Sequence, residues 1–149
     1  MDPAPLPFGE RDPDPELGVP VPFACTTSYA EAARAAPSIR QLDHRRVTQC
    51  ALSRVCGVCG SPLGRPIAFV GSPAEADRNA FHFPPCHLEC AQALLDAVAP
   101  VDVAVLGQPE TVDAWVLTTT AAFEYVRPSL EDADRRPTFE PYEVLTSTR

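Results

Sequence analysis

Four cysteines and one histidine gather in two short stretches, VCGVCG at residues 55–60 and FPPCHLEC at residues 83–90. Thiolates and imidazoles are good Zn2+ ligands, and a structural zinc site closes a tetrahedron with four of them. Cys56, Cys59, Cys86, His87 and Cys90 thus offer five donors for four places. The first pair is a C-x2-C step flanked by glycines, which let backbone N–H groups turn toward the sulfurs. The second group precedes an apolar, helix-periodic run, where the positive end of the helix dipole would favour bound thiolates.

Stepping outward, CHLECAQALLDAV reads as a helix, because Ala91, Leu94, Leu95 and Val98 fall at i, i+3, i+4 and i+7. Pro85 suits its first turn. Helical phase puts His87 near the centre of the apolar stripe and Cys90 beside it, while Cys86 points away. That phase assigns a structural Zn2+ to Cys56, Cys59, His87 and Cys90. The alternative set replaces His87 with Cys86, which is otherwise a candidate reactive thiol. Between the cysteine groups, Ile67–Val70 reads as a short strand and residues 79–83 alternate, with Phe81 and Phe83 on one face and His82 on the other. The intervening SPAEADR reads as a loop, so the pair suggests a β-hairpin. Knuckle, hairpin and helix across about residues 55–98 is the order of a treble-clef zinc finger.

The rest of the chain supplies a frame. Residues 1–20 are proline-rich and acidic and read as a flexible arm; residues 21–149 read as one zinc-binding domain. Val19, Val21 and Phe23 could begin an edge strand. Ser28–Glu31 and Ser38–Gln41 each have the form of a capping box, predicting one helix that ends near Pro37 and another that runs to about Arg54. On the second helix Cys50 reads as a small core residue. Beyond Pro100, strands are expected at 101–107, at 112–120 with continuation through AAFEYV, and at 142–145, with a solvated loop from Pro128 to Pro137. The fold class is α+β: N-terminal helices, a treble clef and a C-terminal antiparallel β region.

The 149 residues carry a net charge of −8, which argues against a surface wholly devoted to nucleic acid. The charge is uneven. Residues 34–65 hold six arginines against Asp43 alone, and Arg40, Arg45, Arg46, Arg54 and Arg65 form a candidate phosphate-binding set around the knuckle. The N-terminus lacks a basic and an apolar signal region, and no apolar run reaches membrane-spanning length. A cytoplasmic protein without membrane contact is expected, and in a reducing compartment clustered cysteines are metal ligands rather than disulfides.

Residues 55–91 resemble a group of small, uncharacterised actinobacterial and phage proteins that carry a C-x-VCG-x-x-L segment followed by PP-x-H-x-x-CA. The matching residues are Cys56-Gly-Val-Cys59-Gly-Ser-Pro-Leu63, Ile67–Gly71 and Pro84-Pro-Cys-His87-Leu-Glu-Cys90-Ala91. All twelve basic residues are arginine, and alanine, proline and aspartate abound, a composition in keeping with a GC-rich genome. The resemblance implies a treble-clef zinc site without a known activity. It also implies that the position before the histidine is not a ligand. This helix ends in DAVAP rather than in the second Cys-Pro associated with the group.

Four protein ligands leave no coordination place for a substrate, so the zinc reads as structural and the protein as a macromolecular binding or adaptor module. A protein partner is expected. A second reading is a nucleic-acid-binding module using the arginine-rich face of residues 34–65. A third is a small accessory enzyme using Cys86, or a histidine such as His82 or His44.

Overall fold

The segment IAFVG is apolar at four of its five positions, and it becomes a strand buried on both faces, β1 (Ile67–Gly71). The computed structural model describes residues 13–26 and 38–148. Around β1 the described residues form an α+β fold with a four-stranded antiparallel sheet ordered β2-β1-β3-β4. In chain order the elements are a 3-10 turn (Phe23–Cys25), α1 (His44–Ser53), β1, α2 (Pro73–Arg78), β2 (Cys86–His87), α3 (Leu88–Val98), β3 (Val116–Val126) and β4 (Thr138–Thr148).

Two cores lie on the two sides of β1. Ala68 and Val70 join Val58, Leu94, Val98 and Leu106 beside α3. Ile67 and Phe69 join Val47, Phe81, Phe123 and Phe139 on the other side. In that second core Phe69 stacks on Phe81 with ring centroids 5.6 Å apart and meets Phe123 edge-on at 5.7 Å.

Several expectations are corrected. The helix expected from Ser38 starts at His44, because Asp43 is the N-cap and accepts the Arg46 N–H at 3.0 Å. Residues 38–43 stay out of the helix because their backbone is used elsewhere. The carbonyls of Ile39 and Arg40 accept the N–H groups of Leu106 and Gly107, bonds that an i→i+4 ladder would forbid. The strand expected at 101–107 is that same segment, a turn with Leu106 and Gly107 at positive φ. The expected loop SPAEADR is α2: Ser72 and Glu75 form a reciprocal capping box with Pro73 in the first turn.

The hairpin is also redrawn. Residues 79–83 do not pair with β1, because Phe81 instead exchanges two hydrogen bonds with Phe139, at 2.9 and 2.7 Å. The partner of β1 is β2, in the register Ile67↔His87 and Ala68↔Cys86. Consequently α3 begins at Leu88, with His87 as an extended N-cap residue at ψ 150°, and Pro85 and Cys86 precede the helix.

At the N-terminal end, Phe23 lies in the 3-10 turn rather than in an edge strand. The acidic arm is packed from Pro13 onward: Asp14 is 2% exposed, and its carboxylate accepts the N–H groups of Glu16, Leu17 and Ile39. The rest of the arm and the helix expected from Ser28 lie outside the described residues. The C-terminal region is the long β3–β4 hairpin, so the strand expected at 142–145 extends over Thr138–Thr148.

Candidate metal centre

The C-x2-C step folds as a tight knuckle. The Gly60 N–H bonds the Cys56 carbonyl at 2.8 Å, the Cys56 N–H bonds the Ser61 carbonyl at 2.8 Å, and Val55 bridges Pro62. Gly60 sits at φ +77°, where a side chain would be strained. At Gly57 a Cβ would lie 3.0 Å from the Phe83 ring and 3.1 Å from Pro84, so glycine lets the knuckle pack onto the segment that leads into β2. The Gly57 N–H bonds the Pro85 carbonyl at 2.8 Å. The N-terminal segment closes over the knuckle, as the Phe23 and Ala24 N–H groups bond the Val58 and Gly57 carbonyls.

This packing brings one ligand atom from each of Cys56, Cys59, His87 and Cys90 within 4.8 Å of every other. His87 caps α3 and Cys90 lies in its first turn, so the two face the knuckle together. The Nδ1 atom of His87 lies 3.4 Å from the Cys59 sulfur and 3.6 Å from the Cys90 sulfur. A tetrahedral ion with Zn–S of about 2.3 Å and Zn–N of about 2.0 Å separates such ligands by about 3.6 Å, so the donor set fits Zn2+. The other ring nitrogen, Nε2, lies 2.8 Å from the Pro62 carbonyl oxygen. Donation of Nε2–H there fixes the tautomer that leaves Nδ1 with a free lone pair, the arrangement typical of a metal-binding histidine. Cys56 accepts the N–H groups of Val58 at 3.3 Å and His87 at 3.4 Å.

The electrostatics ask for a cation. A hydrogen bond from the Cys86 thiol holds Cys56 well below the usual thiol range despite burial, helped by the N–H groups of Cys59, His87 and Val58. Cys90 moves the other way, raised by burial and by the neighbouring Cys56 and Cys59. Sulfurs this close oppose one another's ionisation, and a divalent cation between them removes the conflict.

Cys86 lies outside the four-residue cluster. It sits in β2, fully buried, as a free thiol 3.4 Å from the Pro84 carbonyl oxygen and close to Cys56. It is therefore not a surface thiol, and it precedes α3 rather than lying in its first turn, while burial raises it well above the ordinary thiol value. Cys50 is buried in the core as read from the sequence, and burial pushes it up to about 12. Cys25 is raised by burial as well.

The arginine set is dispersed among separate contacts. Arg40 pairs with Glu16 at 3.0 Å, Arg46 stacks 4.5 Å over Phe23, and Arg54 lies 4.9 Å over Phe123. Arg45 and Arg65 are exposed. His82 is buried rather than superficial. Its Nδ1 lies 3.2 Å from the Pro137 carbonyl oxygen and its Nε2 lies 3.3 Å from the Asp134 carboxylate, at the wall of a cleft of about 540 Å3. Both ring nitrogens have partners, one a backbone carbonyl and one a half-exposed carboxylate.

Sequence reasoning missed three contributors: the Pro62 carbonyl, the buried Glu75 that accepts the His82 N–H, and Asp14. Only Glu75 had a signal, the S-P-A-E capping box. No helix among the described residues is long and apolar enough to cross a membrane. Compared with protein-family models, with curated proteins and with solved structures, the chain matches none.

Proposed function

We propose that residues 55–98 form a treble-clef-type zinc finger in which Cys56, Cys59, His87 and Cys90 hold a structural Zn2+, and that the protein acts as a macromolecular binding or adaptor module. The carrying observation is the four-donor cluster, with His87 Nδ1 at 3.4 and 3.6 Å from two sulfurs. The order knuckle, β1, β2 and α3 supports the treble-clef reading, with α2 inserted between its two strands. When bound, the ion would join the knuckle to the start of α3 and neutralise the thiolates. Its coordination would be filled by protein, which favours a role in architecture over one in chemistry. The likeness of residues 55–91 to small actinobacterial and phage proteins extends the same proposal to them.

Metal content tests the ligand set. Purified Cys86→Ala should retain one equivalent of zinc, and His87→Ala should lose it or bind far more weakly. The reverse pattern would overturn the assignment. The adaptor role is tested by cross-linking in the native host, where a stoichiometric protein partner is expected and a turnover activity would refute it.

A further inference from the structure

Three elements meet at a cleft of about 370 Å3 beside the loop of residues 128–137. His44 and Thr48, one turn apart on α1, form one wall. Tyr125 of β3 and Arg127, just beyond its end, form the second, and Arg135 of the loop forms the third. Pro128 and Pro137 also line it, and no acid among the described residues does, although the chain carries 20 acids against 12 arginines. The larger cleft at His82 differs, since Glu110, Asp113 and Asp134 line it together with Arg78 and Arg136. The cations of the smaller cleft are also unanswered. Arg40 and Arg136 have carboxylate partners, whereas His44, Arg127 and Arg135 form no ion pair with any described residue. The Arg127 guanidinium lies 6.0 Å from the centre of the Tyr125 ring, whose hydroxyl has no hydrogen-bond partner among the described residues. The loop itself is tied down. The His82 ring lies 3.2 Å from the Pro137 carbonyl oxygen and 3.3 Å from the Asp134 carboxylate, and the Ser129 N–H bonds Asp132 at 2.8 Å. The Leu130 carbonyl accepts one Arg135 N–H at 3.1 Å, which steadies the guanidinium and leaves its other donors to the cleft.

Cations gathered without counter-charge repel one another, and an anion between them removes that cost. We propose that this cleft binds a small organic phosphate, its phosphoryl group held by Arg127, Arg135 and His44 together with the Tyr125 hydroxyl. Donors arriving from three walls suit the three terminal oxygens of a phosphomonoester, whereas a carboxylate offers two on one edge. Such a phosphate carries about −1.5 to −2 charges near pH 7, which matches two guanidinium groups. The volume is that of a small-molecule site rather than of a bare ion, and the two prolines give the organic part an apolar wall. The inference rests on this cleft and not on the zinc reading.

Calorimetric titration of the full chain with phenyl phosphate tests it, at about pH 7 and about 50 mM salt so that exposed charges are little screened. Saturable binding at one site is expected, with a dissociation constant on the order of 0.1–1 mM. Arg127→Ala and Arg135→Ala should each raise that constant about tenfold, and Tyr125→Phe about threefold, with thermal midpoints retained. Arg78→Ala, which removes a charge from the neighbouring cleft, should leave it unchanged. Should an alanine variant fold poorly, the native chain still decides, because benzoate and inorganic phosphate should both bind more weakly than phenyl phosphate. Absence of saturable binding overturns the proposal, as does benzoate or inorganic phosphate binding as tightly as phenyl phosphate. An effect of Arg78→Ala equal to that of Arg127→Ala overturns it too, since it would reveal a diffuse field in place of a site. So does a chain that binds a single-stranded oligonucleotide through these arginines but not phenyl phosphate.

Discussion

The two sides of β1 solve the same packing problem with opposite materials. Toward α3 it presents Ala68 and Val70 to a core of aliphatic residues and thiols in which Phe83 is the one buried ring among the described residues. On its other side Ile67 and Phe69 meet a cluster in which Phe69, Phe81, Phe123 and Phe139 touch one another. An aromatic core is stabilised by the area that it buries, since each ring removes about 150–250 Å2 from water. The thiol side buries more residues but also places sulfurs where they oppose one another's charge. On the proposed zinc reading its cohesion depends directly on an ion, whereas the aromatic side depends on one only through the shared strand β1.

The largest test of this contrast is metal removal. Zinc binding by such a module is linked to its folding, with apparent energies of about 10–16 kcal/mol in isolated fingers. A strong chelator should unfold the α3 side, followed through Trp115, which packs against that core. Because β1 belongs to both cores, the phenylalanine side should melt with it in one transition. A protein that keeps its thermal midpoint after complete zinc loss would erase the proposed asymmetry.

Next in size is Phe69→Ala on the opposite face. Phe69 is fully buried and central to the ring cluster. Its truncation should cost about 3–5 kcal/mol in denaturant unfolding and leave zinc stoichiometry at the native value in the folded fraction. Loss of the metal from folded Phe69→Ala would show that the two sides are not distinguishable in this way.

The smallest expected effect lies at the margin of the thiol core. Burial opposes ionisation of Asp14, but the N–H groups of Ile39, Leu17 and Glu16 and the charge of Arg40 outweigh it and hold the carboxyl below its ordinary value. The unfolded chain then binds the proton more readily than the folded one. Stability from this group is fully present above about pH 4 and lost as pH falls through the lower folded value. Asp14→Asn should be less stable by about 1–3 kcal/mol at neutral pH and should unfold with a shallower acid dependence below pH 4. An unchanged acid slope would remove Asp14 from the account.

What could be read in advance depended on how local each cause was. Cys56, Cys59, His87 and Cys90 stand out because ligand chemistry demands few residue types at short spacing. The structure gathers those four residues, yet the argument for setting Cys86 aside rested on a helix containing both Cys86 and His87. In the fold both precede α3, and Cys86 is set apart by its place in β2, where neighbouring side chains alternate in direction. Most of β3 and the apolar stripe of α3 were legible from periodicity, whereas of β4 only residues 142–145 were. The pairing of Phe81 with Phe139 was not, because it joins residues 58 positions apart through backbone atoms that carry no sequence mark. The late start of α1 was hidden for the same reason, since it depends on carbonyls claimed by Leu106 and Gly107. The six-residue α2 is too short to show a period, although its cap was written in the sequence.

The two-sided burial of β1 bears on how the chain finds its alignment. A slip of one residue against β3 would exchange the faces of the strand, driving Phe69 toward the small thiol pocket and leaving Ala68 among the rings. One face would be overfilled and the other hollow, so the error is penalised twice. Five residues thereby act as a proofreading element for the whole sheet, rejecting misaligned chains before either side can settle.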